Sequence, residues 1–156
     1  MKNVLVLFAA LVVSGCATAP PPPTGEALIT LEEGGCGFIA ACPAYTISMK
    51  PDGGYRYEGF RNVTLIGVRE GQLPTGSWEG AEAAFVAADW KNMEDPTTRE
   101  SGYPCMPDSP FARITRRVRV GEEKVFDYNL GCDSKSGSVL LGALREILQI
   151  PIASTQ

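Results

Sequence analysis

The stretch from Tyr45 to Phe60 leaves little freedom in what this chain folds into. Tyr45, Ile47 and Met49 alternate with Thr46, Ser48 and Lys50. That period of two belongs to a strand with one buried and one solvated face. Pro51-Asp52-Gly53-Gly54 follows; proline presets φ for a turn, and glycine permits φ above zero. Tyr55-Arg56-Tyr57-Glu58-Gly59-Phe60 then returns. The two runs predict an antiparallel hairpin.

Further elements extend from this hairpin in both directions. Ala27 to Leu31 is a short apolar run, read as a first strand that ends at Glu32-Glu33-Gly34-Gly35. Asn62 to Arg69 reads as a further strand of the meander, turned by Glu70-Gly71. Trp78, Ala81, Phe85 and Ala88 recur at helical spacing and predict a helix over 78–91, with Ser77 as N-cap. Ile114, Val118 and Val120 mark a strand, Gly121-Glu122-Glu123 a turn, and Lys124 to Leu130 the returning strand. Val139 to Ile150 is read as a last helix, with Leu140, Leu144, Ile147 and Leu148 inward and Arg145, Glu146 and Gln149 outward. The order is β-β-β-β-α-β-β-α. The expected fold class is α+β, an antiparallel sheet with two helices packed on one face.

The N-terminus sets an expectation about location. Lys2 precedes the ten-residue apolar run Val4 to Val13, about half of the roughly 20 residues a spanning helix needs. The run suits a secretory signal. Val13-Ser14-Gly15-Cys16 resembles the lipobox of bacterial lipoproteins. The reading is a lipoprotein signal peptide over 1–15, lipidation at Cys16, a Pro-rich tether over 16–25, and a single domain over 26–152. Ala17-Thr18-Ala19 offers ordinary signal cleavage as the rival, with Pro20 a poor residue after the cut. The tether reaches roughly 28 Å if fully in polyproline II. Ala17 is not the aspartate that typically retains lipoproteins in the inner membrane, so the expected place is the outer membrane, facing the periplasm. The membrane is then a partner through the N-terminal lipid.

Composition narrows the chemistry. Lys and Arg total 14 against 18 Asp and Glu, a net charge of −4. A nucleic-acid binder would instead carry a basic patch. The chain has no histidine, so it lacks the commonest metal ligand and the usual base for a nucleophile. Besides Cys16 there are Cys36, Cys42, Cys105 and Cys132. An even number in an exported chain reads as two disulfides, of which three pairings are possible. Cys36–Cys42 with Cys105–Cys132 is favoured because each closes a local unit. In the chain-entropy picture the two loops contribute about 2.4 and 3.6 kcal/mol. A four-cysteine zinc site and a catalytic thiol pair are weaker alternatives, because both want closer spacings such as C-x-x-C. No cofactor is expected.

Several of these residues carry a resemblance. Cys42-Pro43-x-Tyr45-x-Ile47, the Asp52-Gly53 turn, the aromatic strand ending near Gly59, and Gly76 leading into a Phe85-bearing helix resemble a family of small bacterial envelope proteins. These proteins, often lipoproteins, carry a domain of unknown function. The resemblance covers roughly residues 27–149. It implies export and fold, and no activity. The C-x5-C loop here departs from the tighter C-x3-C-P of that family.

Candidate contact residues remain. Tyr45, Tyr55 and Tyr57 suit a ligand platform, since tyrosine joins apolar area to a hydroxyl; they also suit ordinary cross-strand pairs. Arg113, Arg117 and Arg119 share a strand face and suit phosphate or carboxylate on an anionic envelope polymer. The competing reading is a solvated face offset by Glu122, Glu123 or Asp127. Phe38 and Ile39 in the first cysteine loop are candidates for contact with an envelope protein. The connection over 92–110 exceeds the usual length of a structureless loop, and Cys105 suggests a tie. No nucleophile-base pair or phosphate cradle stands out. The expectation is a binding or structural module rather than an enzyme. The alternatives are an inhibitor of an incoming hydrolase such as a lysozyme, and an envelope-polymer hydrolase.

Overall fold

The computed structural model describes residues 27–35, 42–96, 105, 109–132 and 134–149. The leader, Cys16, the tether, Cys36, Phe38 and Ile39 lie outside the described residues. Six strands form one sheet: β1 Leu28–Gly34, β2 Ala44–Met49, β3 Gly54–Arg61, β4 Gly67–Gln72, β5 Phe111–Arg119 and β6 Glu122–Asn129. Two helices, α1 Ser77–Ala87 and α2 Lys135–Ile147, complete the fold. The sheet order is β4-β3-β2-β1-β5-β6, antiparallel throughout. The α+β expectation and the element order hold.

Alternation in the strands builds the core. Ile29, Leu31, Tyr45, Ile47, Met49, Tyr57, Ala112, Ile114, Phe126 and Tyr128 face one side and are buried. The helices cover that side with Ala81 and Phe85 from α1 and Leu140, Leu141, Leu144 and Leu148 from α1's partner α2. The leucines at 140, 144 and 148 repeat at four-residue spacing and form one stripe. Phe85 meets Trp90 edge-on at 4.8 Å, and Trp90 meets Phe126 at 6.1 Å.

Element boundaries differ from the sequence reading at several places; β6 begins at Glu122, which was read as turn, and α2 ends at Ile147 rather than Ile150. Strand β1 runs from Leu28 through Glu33 to Gly34, so Glu33 lies within the strand rather than at its close. Asn62 takes a positive φ and Gly67 another, which breaks the run read as one strand over 62–69; β4 begins at Gly67 and includes Glu70 and Gly71. Ser77 does not cap α1. Gly76 holds the N-cap position in the left-handed region, with no side-chain cap bond. Helix α1 ends at Ala87, because Asp89 is left-handed and Trp90–Asn92 forms a separate 3-10 turn. Helix α2 starts earlier than read, at Lys135, where the Ser134 hydroxyl accepts from the Gly137 amide at 3.2 Å.

Two cations on the helix side tie the layers together. Arg116 forks onto Glu82 of α1, with its Nε 3.0 Å from Oε1, and lies over the Phe85 ring. The Lys124 ammonium donates to the carbonyls of Trp90, Lys91 and Met93 at 2.5, 3.1 and 3.0 Å. A disulfide joins Cys105 to Cys132, as the sequence reading expected. Cys42 is also disulfide-bonded, and its expected partner Cys36 lies outside the described residues.

Candidate functional site

Glu33 is the most buried carboxylate among the described residues, with its side chain 2% exposed. It extends the inward alternation of Ile29 and Leu31 by one step. Arg145 of α2 reaches it through Nε at 2.8 Å and through a second guanidinium nitrogen, and the Tyr45 hydroxyl donates to the same carboxylate. Burial, then Glu33, pushes the Tyr45 hydroxyl well above the usual tyrosine range. The hydrogen bonds that Arg145 donates to Glu33 raise its guanidinium further. Arg145 therefore points inward, against the expectation that it faces solvent. A carboxylate with all its partners supplied from β2 and α2 is a clamp between sheet and helix.

The bare face of the sheet holds the arginines singled out in the sequence. Arg113 forks onto Asp127 at 2.5 and 2.9 Å, Arg117 meets Glu123 at 2.7 Å, and Arg119 pairs with Glu122. These bonds raise the Arg113 and Arg119 guanidiniums and hold the Glu122 carboxyl below its usual value. Each guanidinium fork is thus occupied by a cross-strand carboxylate, as in the solvated-face reading. Beside these charged rows, Thr30 of β1 and Ser48 of β2 share a hydrogen bond at 3.0 Å.

The tyrosines divide. Tyr45 and Tyr57 are buried and stack at 6.0 Å, so they do not form an open platform. Tyr57 nevertheless reaches a cleft with its neighbour Tyr55. Both line a cavity of about 190 Å³ with Ile47, Leu65, Arg69 and Leu148. The cleft opens where β4, at the sheet edge, runs past the end of α2. On this side β4 presents Gly67, Arg69 and Gly71, with side chains absent at the first and last. The Tyr55 ring lies over Gly71. Arg69 is exposed and bonds only the Val68 carbonyl, at 2.7 Å. Among the described residues it has no acidic partner.

The β3–β4 connection beside the cleft is braced. Val63 is buried in the core. The Asn62 amide donates to the Cys42 carbonyl at 3.1 Å, and the Tyr57 hydroxyl donates to the Leu65 carbonyl at 3.1 Å. Any Cβ at position 59 would collide with that Leu65 carbonyl, so Gly59 is required for the close approach. Phe60, Ile66 and Val68 stay outside at 55, 58 and 41% exposure. Ile66 lies in the connection itself, and Phe60 and Val68 lie in the adjoining ends of β3 and β4; exposed apolar groups of this kind are a feature of contact surfaces.

Residues 27–148 match a family described as a domain of unknown function, DUF6438. The chain belongs to the DUF6438 family. The match spans the sheet and both helices of the DUF6438 domain. No curated protein matches the chain.

Chemically, the DUF6438 domain offers a cleft of apolar and aromatic side chains with the Gln72 and Gln149 amides and one cation in its lining, and a braced loop beside it. Among the described residues no three His, Cys, Asp or Glu side chains converge on a metal position. Sequence patterning points to Tyr57 and leaves Arg69 and Leu65 unmarked. One signal was available for Glu33 and Arg145. Glu33 continues the period of two, and Arg145 stands four residues after the buried Leu141.

Proposed function

We propose that this DUF6438 protein is an outer-membrane-anchored lipoprotein, facing the periplasm, whose folded domain is a binding module. The lipobox-like Val13-Ser14-Gly15-Cys16 and the tether behind it support the anchoring part. The C-P-x-Y segment with its Asp52-Gly53 turn, resembling small envelope lipoproteins, supports the same part. One observation carries the binding part: an apolar cleft under the β3–β4 edge, with Arg69 at its rim and in no ion pair among the described residues. A buried apolar surface with a few directing polar groups is how small binding sites are built.

A Cys16→Ser change should move the protein from the outer-membrane fraction to the soluble periplasmic fraction. Pull-down of the full chain from envelope extract should recover a partner that Leu65→Asp fails to recover. A Cys16→Ser protein still in the membrane contradicts the anchor. Equal recovery by both proteins contradicts the cleft.

A second reading is favoured by the braced loop. An inhibitor of an incoming hydrolase works through a rigid exposed segment, and Ile66 stands on one. Inhibition of a lysozyme by the purified protein, lost in Ile66→Asp, distinguishes it. For a hydrolase, the described residues lining the cleft provide no carboxylate to serve as acid or base.

A further inference from the structure

Strand β4 is the end of the sheet, and among the described residues nothing pairs with its outer edge. The phase of its hydrogen bonds is set by the Leu73 amide, which donates to the Gly53 carbonyl at 2.9 Å. The register pairs Gly54 with Gln72, Tyr55 with Gly71 and Tyr57 with Arg69. In an antiparallel ladder bonded and non-bonded pairs alternate. Gly67, Arg69 and Gly71 therefore turn their backbone groups toward β3, and Val68, Glu70 and Gln72 turn theirs outward. An outward row of amides and carbonyls is a template for another strand, once the Arg69 guanidinium swings off the Val68 carbonyl that it holds at 2.7 Å.

We propose that this edge takes an extended peptide strand from a partner protein, antiparallel to β4, with an acidic side chain between two apolar ones. The inference rests on the binding-module reading and names its partner class. Residues directly opposite in an antiparallel pair lie on the same face. The residue opposite Arg69 faces the helix side, where an acid completes the ion pair that Arg69 lacks. The residues opposite Gly67 and Gly71 meet no side chain on β4, so apolar groups there lean over the glycines toward Leu65 and the Tyr55 ring. On the bare face, a basic residue fits opposite Glu70 and an apolar one opposite Val68.

A second copy of the chain fits the edge poorly. A two-fold antiparallel pairing keeps each face continuous. The two registers of greatest overlap then centre on Arg69 against Arg69 or Glu70 against Glu70. Like charges directly opposite destabilise a pair.

The test uses the full chain in detergent and a labelled peptide, Thr-Val-Lys-Glu-Val-Leu. Its residues face Gln72, Gly71, Glu70, Arg69, Val68 and Gly67 in that order. Saturable binding is expected by fluorescence anisotropy, with slowed hydrogen exchange over 67–72. The peptide with Lys and Glu exchanged should bind about tenfold more weakly, since two opposite-charge pairs become like-charge pairs. The Arg69→Glu/Glu70→Arg protein should reverse that preference. Glu70→Pro removes an outward amide and the exposed Glu70 pair with Arg56 but no backbone bond to β3, so it should abolish binding at little cost in melting temperature. Equal binding of both peptides, exchange protection elsewhere, no binding, or self-association through β4 each overturns the proposal. The binding-module reading itself stands or falls separately, on the Leu65→Asp pull-down.

Discussion

Arg145 of α2 forks onto the buried carboxylate of Glu33 of β1, residues 112 apart in sequence. Glu33 is sealed from solvent, while Arg145 keeps about a third of its side chain exposed. Removing one partner of a buried pair leaves an uncompensated charge. Arg145→Met should therefore cost about 3 kcal/mol in urea unfolding, near the lower end for buried pairs because Arg145 is partly solvated. The triple change Glu33→Leu/Tyr45→Phe/Arg145→Met removes the charge with its partners and should recover much of that loss. A triple variant weaker than Arg145→Met would contradict the clamp.

Tyr45 should make the fold alkali-sensitive. Its hydroxyl titrates higher in the folded state than the ordinary value near 10. Folding then holds the proton where the unfolded chain releases it, so the contribution is intact below pH 10 and is lost as pH rises above it. Tyr57 shifts the same way through burial. Stability should fall above about pH 10, and Tyr45→Phe should flatten that fall while lowering stability at neutral pH. An unchanged alkaline slope in Tyr45→Phe would place the effect elsewhere.

The Cys105–Cys132 bond closes a separation of 27 residues between the long connection and the start of α2. A loop of that size contributes about 3.6 kcal/mol in the chain-entropy picture. The double change Cys105→Ala/Cys132→Ala should lower the unfolding free energy by about 3 kcal/mol. Retained stability would mean that the connection is held by other contacts.

The bare-face arginines should matter little to stability. Arg113, Arg117 and Arg119 each sit in an exposed pair, and such pairs contribute about 0–1 kcal/mol. Arg117→Gln should leave the melting temperature nearly unchanged. If this face grips an anionic polymer in spite of its internal pairs, Arg117→Glu should weaken binding of a polyanion such as polyphosphate. Equal binding by both proteins removes the face from consideration.

Much of this architecture was legible because periodicity reports burial. The Tyr45–Met49 and Tyr55–Gly59 alternation set the central hairpin, and the Leu140, Leu144 and Leu148 stripe set α2. Charge misled where a polar residue occupied an inward position. Glu33 read as the polar end of a strand and Arg145 as surface, since neither type is ordinarily buried without its partner, and the partner lies across the fold. The run over 62–69 misled for a different reason. Val63 enters the core from a loop while Leu65 and Ile66 stay outside, so apolar content there does not mean strand. The cleft was illegible because β4 and the end of α2 create it jointly, and no local pattern announces such a meeting.

The most direct test of the account is position-resolved photo-crosslinking of the full chain in living cells. Photoreactive residues at Ile66 and Val68 sample the β3–β4 edge, and one at Thr115 samples the bare sheet face. The same adduct is expected from positions 66 and 68, lost on Glu70→Pro, with none from 115. Adducts from Thr115 alone would contradict it and move the binding surface to the open face of the sheet.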